Sequence, residues 1–216
     1  MNLDFARHQM VEQQVRCWDV NNASILGLLG ALPRDAFVPR RFAHLAYADV
    51  EIPLPCGQHM LTPQVEGRLL QSLDIAPSDV VLEIGSGSGF LTACFGKLGA
   101  TVVSVDIHPE LVALAQGNLD NAGVGNVSLH QMDATSNLQP GEYDVVAVTG
   151  SIPQFDERFA RALKIGGRLF CVVGEAPVME ARRVTREAAD TWTTESLFET
   201  QLAPMQNAAQ TPRFSF

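Results

Sequence analysis

The sequence predicts an α/β fold: a mostly parallel, doubly wound sheet with an antiparallel edge strand, preceded by a helical N-terminal extension. Three observations carry this. Short Val-rich runs recur from residue 79 onward: "DVVLEIG", "TVVSVDI", "NVSLHQM", "YDVVAVTG" and "GRLFCVVG". Helical patterns at 90–98, 109–122 and 154–164 separate them. The runs are almost continuously apolar, as strands covered on both faces of a parallel sheet must be.

The remaining elements follow in chain order. Met10, Val11, Val15, Trp18, Ile25, Leu28 and Leu29 recur at loose helical spacing within residues 7–31. "LPRDAFVPRRF" (32–42) carries two prolines and reads as a bent connector, and "DVEIPLP" (49–55) reads as extended. Thr62 followed by Pro63 is a helix start, a capping residue and then proline at the first helical position. Val65, Leu69, Leu70 and Leu73 then share one helical face. After residue 177 the sequence predicts one more helix. "TWTTESLFET" alternates as an antiparallel edge strand does. The 216 residues form one domain on this reading: an N-terminal helical extension and loop over 1–62, a core over 63–175, and a C-terminal helix with edge strands over 176–216.

Hydrophobic residues make up 46% and charged residues 18%, enough for a large core and too apolar for general disorder. The net charge of −9 argues against binding a phosphate backbone, so no nucleic-acid partner is expected. No apolar run reaches the ~18 residues of a membrane span and the N-terminus lacks a signal pattern, so no membrane partner and a cytoplasmic location are expected. Cysteines at 17, 56, 94 and 171 form no C-x-x-C pair, which predicts buried free thiols and no metal site.

"VLEIGSGSGF" (81–90) is the strongest motif. A buried strand meets three glycines and then a helix, where glycine lets the backbone approach a ligand and the helix start offers N–H groups and partial positive charge. A dinucleotide fingerprint, G-x-G-x-x-G, fails in both registers, at Phe90 or at Thr92. The chain instead has E-x-G-x-G-x-G, with Glu83, Gly85, Ser86, Gly87 and Gly89, which resembles motif I of the Rossmann-like S-adenosylmethionine (SAM) methyltransferases. Asp106 ends the next strand 21 residues after Gly85, where an acid can hold both ribose hydroxyls, with Ile107 beside it. Asp133, with Met132, ends the third strand. The resemblance implies that it approaches the adenine. Helix capping is the alternative for both acids.

The upstream block is more specific. "MVEQQV", "ALPRDAFVP", "AYADVEIPLPCGQ" and "TPQVEGRLLQSL", with "DVVLEIGSGSGFLTA" and "LKIGGRLFCVVG", resemble the protein-L-isoaspartate O-methyltransferase family over residues ~9 to ~175. "LAPM" (202–205) answers the family's late strand. The resemblance implies SAM as cofactor, S-adenosyl-L-homocysteine as product, and methyl transfer to isoaspartyl carboxylates of damaged proteins. Such a reaction needs alignment more than a general base, since a carboxylate is already ionised at neutral pH.

The family's substrate loop runs Gly-Gln-Thr-Ile-Ser. Here Gly57 and Gln58 are followed by His59, Met60 and Leu61. The substrate-contacting hydroxyl is therefore absent at Leu61, Thr62 being the nearest one, and "TGSIP" (149–153) departs mildly from the family's "TAAP". Three readings stand: isoaspartyl methylation; methylation of another protein or small-molecule acceptor, with His59 as base; and a SAM-binding module without catalysis. His59 as an ordinary loop histidine also stands.

Overall fold

The computed structural model describes residues 2–99, 101–136 and 138–209. Helix α1 (Leu3–Gln9) continues through a π-helical turn at Met10–Val15 and a 3-10 turn at Arg16–Trp18. Helix α2 (Ala23–Ala31) starts where the Asn22 side chain accepts from the N–H groups of Ser24 and Ile25. The proline-bounded connector folds as two 3-10 segments, Arg34–Phe37 and Arg40–Leu45. The expected extended stretch at 49–55 shrinks to a two-residue strand, β1 (Ile52–Pro53), paired antiparallel with β2 (His59–Met60). Cys56 and Gly57 turn this hairpin with consecutive positive φ angles of 59° and 68°. Helix α3 (Pro63–Leu73) buries the predicted face of Val65, Leu69, Leu70 and Leu73. Thr62 occupies its N-cap but makes no capping side-chain bond, so proline preorganisation starts this helix.

Strands β3 (Val80–Ile84), β4 (Thr101–Asp106) and β5 (Val127–Gln131) alternate with helices α4 (Phe90–Leu98) and α5 (Pro109–Asn121). Then come β6 (Tyr143–Ile152), α6 (Glu157–Ala162), β7 (Leu163–Glu175), β8 (Val178–Ala188) and β9 (Thr191–Glu199). The seven strands line up as β5-β4-β3-β6-β7-β8-β9. Pairing is parallel from β5 to β7 and antiparallel from β7 to β9.

The sheet divides the core by alternation. Val81, Val145, Ala147, Phe170 and Val172 face the cluster that holds the N-terminal extension, α3, α4 and α5. Leu82, Ile84, Val146, Val148, Leu169 and Cys171 face the cluster with Phe159 and Ala160 of α6. That is the period-2 arrangement of strands buried on both sides.

The helix expected after residue 177 is a strand. "EARRVTREA" is rich in helix formers, but β8 pairs with β7 from Glu175↔Val178 to Arg168↔Thr185 and buries Met179, Ala181 and Val184. A helix here would leave the 13 residues of β7 as an unpaired edge. Tertiary pairing overrides local propensity, and the antiparallel part of the sheet has two strands in place of one.

The chain crosses from one side of the sheet to the other between β5 and β6, so β3 lies at the switch point, where open α/β sheets bind ligands beyond the carboxyl ends of their strands.

Candidate active site

The loop from β3 to α4 opens onto that switch point. Gly85 has φ +100°, and a Cβ there would lie 2.2 Å from Thr149 Oγ1. Thr149 in turn donates to the carbonyls of Ile84 and Gly85 at 2.9 and 3.0 Å. Only glycine fits. Gly89 packs against α5. It lies outside the cleft, and a Cβ there would press on the backbone of Ala115 at 3.1 Å, so it lets α4 and α5 approach.

The loop's amides are largely satisfied within the fold. Gly85 and Ser86 donate to the Val105 carbonyl, and Gly87 donates to Asp106 Oδ2 at 3.1 Å. These bonds brace the loop against β4, which presets its shape. Asp106 is 7% exposed, accepts from the His108 N–H at 3.0 Å through Oδ1, and lies 3.5 Å from Ser86 Oγ through Oδ2. Each carboxylate oxygen has two lone pairs, so acceptor capacity toward the cleft remains.

Glu83 does not reach the main cleft. Its Oε2 accepts from Thr92 Oγ1 and from Ser104 Oγ at 2.5 Å, while Oε1 has no partner among the described residues. Complete burial pushes its pKa up to about 8 against the pull of those two hydroxyls, so it is mostly protonated at neutral pH. It therefore helps fix the loop from beneath and lines a small side pocket with Ser86 and Gly87.

A cleft of about 820 Å³, mouth included, gathers most of the predicted residues. Gly85, Gly87, Asp106, Ile107, Met132 and Asp133 line it, and His59 and Leu61 line its lip. Asp133 lies at the cleft with its oxygens partly engaged. It faces the cleft, yet Oδ1 accepts from Thr135 N–H and Oγ1 at 2.9 and 2.7 Å, and Oδ2 accepts from Asn207 at 2.8 Å. The Thr135 hydroxyl leads the interactions that hold its pKa below the usual carboxylate range. Thr62 lies outside the cleft.

Sequence reasoning missed the opposite wall, Ala203 to Gln206, and the floor at Thr149 and Gly150. The wall is hung from β6: Ser151 N–H donates to Ala203 O at 2.9 Å, Met205 N–H donates to Ser151 O at 2.8 Å, and Ser151 pairs with Pro204 in a parallel bridge. This is the structural counterpart of the expected late strand at 202–205, reduced to a single bridge. Nothing local to "LAPM" signals which strand will hold it. Residues 210–216 lie outside the described residues.

The lip rests on a buried cation. Arg34 and Glu66 are 0% and 1% exposed. Arg34 Nε donates to Glu66 Oε2 at 2.9 Å, and its Nη atoms donate to Ala46 O at 2.7 Å and Leu61 O at 2.5 Å. One guanidinium thus ties the connector, the Tyr47 turn and the substrate-loop position Leu61. Burial drives the Glu66 pKa up despite Arg34 beside it. Tyr47 is locked by its bond to Asp35, and desolvation, with that carboxylate, raises its pKa to about 12. These are the residues of the upstream block, "PRDAFVP" and "AYADVEIP".

The family model for protein-L-isoaspartate(D-aspartate) O-methyltransferase matches residues 6–210. The chain belongs to that family. It is 35% identical to the protein-L-isoaspartate O-methyltransferase of Koribacter versatilis, over 85% of this chain and 82% of that one. The protein-L-isoaspartate O-methyltransferase 2 of Pelobacter propionicus is 31% identical over 96% and 93%. A Plasmodium falciparum structure named for the same enzyme, in complex with S-adenosyl-L-homocysteine, superposes with TM-score 0.81, covering 93% and 98% at 16% identity. At that identity the likeness is one of fold, and the fold is the Rossmann-like methyltransferase fold that the motif predicts.

Proposed function

We propose that this chain transfers the methyl group of SAM to a carboxylate, with an isoaspartyl residue of a protein or peptide as acceptor. The observation that carries the reading is one cleft that joins the braced Gly85–Gly87 loop and Asp106 to the family's substrate loop at His59–Leu61. The residues fit the cofactor. Gly85 leaves room for close backbone approach, Asp106 offers a paired acceptor for a diol, and Ile107, Leu111 and Met132 supply apolar walls near Asp133. When bound, the sulfonium supplies an electrophilic methyl group. The chain's own residues orient and exclude water: the loop fixes the donor end, and Leu61, Met205 and the lip close over the acceptor end. An ionised acceptor carboxylate has no proton to remove, so no base is needed. Membership of a family named for its O-methyltransferase activity favours catalysis over a binding module.

Four free cysteines agree with a reducing compartment, the cytoplasm, and the net charge of −9 agrees with an acceptor other than nucleic acid. Calorimetry with SAM tests the cofactor assignment: Asp106→Ala should weaken binding at least ~10-fold, the worth of one charge-assisted bond. Equal binding by both proteins removes it.

One observation favours a second acceptor class. His59 is exposed on the cleft and Leu61 stands where a hydroxyl would greet a carboxylate. On a hydroxyl or amine acceptor, His59→Ala should lower kcat, whereas turnover on a carboxylate should be unaffected.

A further inference from the structure

The hairpin between β1 and β2 and the start of α5 meet at the rim of the cleft. Cys56, His108 and Glu110, 52 and 54 residues apart in sequence, place one ligand-type atom each within 4.8 Å of one another. We propose that Cys56, His108 and Glu110 form a binding site for a zinc-type divalent cation at the lip of the cleft.

The donor set is a thiolate, an imidazole and a carboxylate, the three types that zinc takes, and three protein ligands leave a fourth position for water. Zinc bonds of ~2.0–2.3 Å imply tetrahedral edges of about 3.3–3.8 Å. Cys56 Sγ already lies 3.7 Å from Glu110 Oε2. The remaining contraction, about 1.5 Å at most, falls to side chains free to move: Cys56 and Glu110 are exposed and His108 is half-buried. Gln206 provides the outer partner that a metal-bound histidine uses, its amide nitrogen standing 2.9 Å from His108 Nε2. Turning that amide lets its oxygen accept a proton from the ring nitrogen it touches, and the other ring nitrogen then keeps its lone pair.

The helix start opposes a cation by ~0.3–1 kcal/mol. Two anionic ligands outweigh that. Binding displaces the Cys56 proton to solvent, forming a metal–sulfur bond with no change of oxidation state. The ion would staple the β1–β2 hairpin to α5, two elements joined across the rim by the Cys56–Glu110 contact. The site stands whether or not the cleft is a SAM site.

Cobalt(II) is the probe, followed by displacement with zinc(II). The wild-type protein should develop a thiolate-to-cobalt charge-transfer band and tetrahedral visible bands that saturate at one equivalent and vanish on adding zinc. Cys56→Ser should abolish the charge-transfer band, and Cys17→Ser, which removes the other exposed cysteine, should leave it intact. Glu110→Gln and His108→Ala should each weaken zinc affinity by at least ~10-fold, the loss that even an outer partner causes. Unchanged melting of the metal-free variants shows that they fold. A wild-type protein with no charge-transfer band overturns the proposal. So does a band that survives Cys56→Ser, a band lost with Cys17→Ser, or an affinity indifferent to Glu110 and His108.

Discussion

The two walls of the cleft are held by different forces. On the side of the Gly85–Gly87 loop, backbone amides do most of the positioning. Gly85, Ser86 and Gly87 hand their amides to Val105 and Asp106, and Glu83 underneath is neutral enough to sit in apolar surroundings. On the lip, one buried charge does it. Arg34 reaches Glu66, Ala46 and Leu61 from a different part of the chain. A wall made mostly of backbone spreads its support over the glycines, Asp106 and Thr149. A wall hung on a single guanidinium fails as a unit.

The largest break in this comparison is Arg34→Ala. It strands Glu66 without its cation and should cost about 3–5 kcal/mol in chemical denaturation. A loss under ~1 kcal/mol would mean that the lip has another support. Next comes the residue beneath the glycine loop. Glu83 has a folded-state pKa raised from 4.5 to about 8. Folded protein therefore holds this proton more tightly than unfolded chain. Stability is fully present below about pH 4.5 and falls as pH rises toward 8, by roughly 3 kcal/mol between pH 4.5 and 7. Glu83→Gln, neutral throughout, should remove that part of the slope in melts at matched pH values. A variant with the same slope as the parent would place the titration elsewhere. The smallest effect belongs to the lip surface. Leu61→Ser restores a hydroxyl at the substrate loop and should raise kcat/KM on an isoaspartyl peptide about tenfold, the worth of one hydrogen bond of ~1–1.5 kcal/mol. Unchanged or lower turnover, followed with tritiated SAM, would show that the lip contacts its acceptor in another way.

Legibility divides along the same line. The Gly85–Gly87 turn, Asp106 at a strand end and the α3 face could be read from spacing, because strand period, glycine conformations and helix starts are local consequences of sequence. What Gly89 and Glu83 touch could not be read from the same motif. Their partners, Ala115 and the Thr92–Ser104 pair, come from neighbouring elements that a motif does not contain. The 178–188 strand was hidden by helix-forming residues, since only β7 offers the edge that it completes. Two of the four cysteines expected to be buried, Cys17 and Cys56, are exposed, and no spacing rule links Cys56 to His108 and Glu110.

By itself the sequence determined the α/β alternation, the family and the glycine-loop end of the cleft, because each depends on residues close together in the chain and on backbone geometry that few residue types permit. The tertiary structure alone decided what encloses the rest of the cleft: the Ala203–Gln206 wall hung on Ser151, the lip carried by Arg34, and the rim where the β1–β2 hairpin meets α5. Those contacts join segments about 27 to 54 residues apart, and strand pairing or a buried charge selects them from many partners that look alike in sequence.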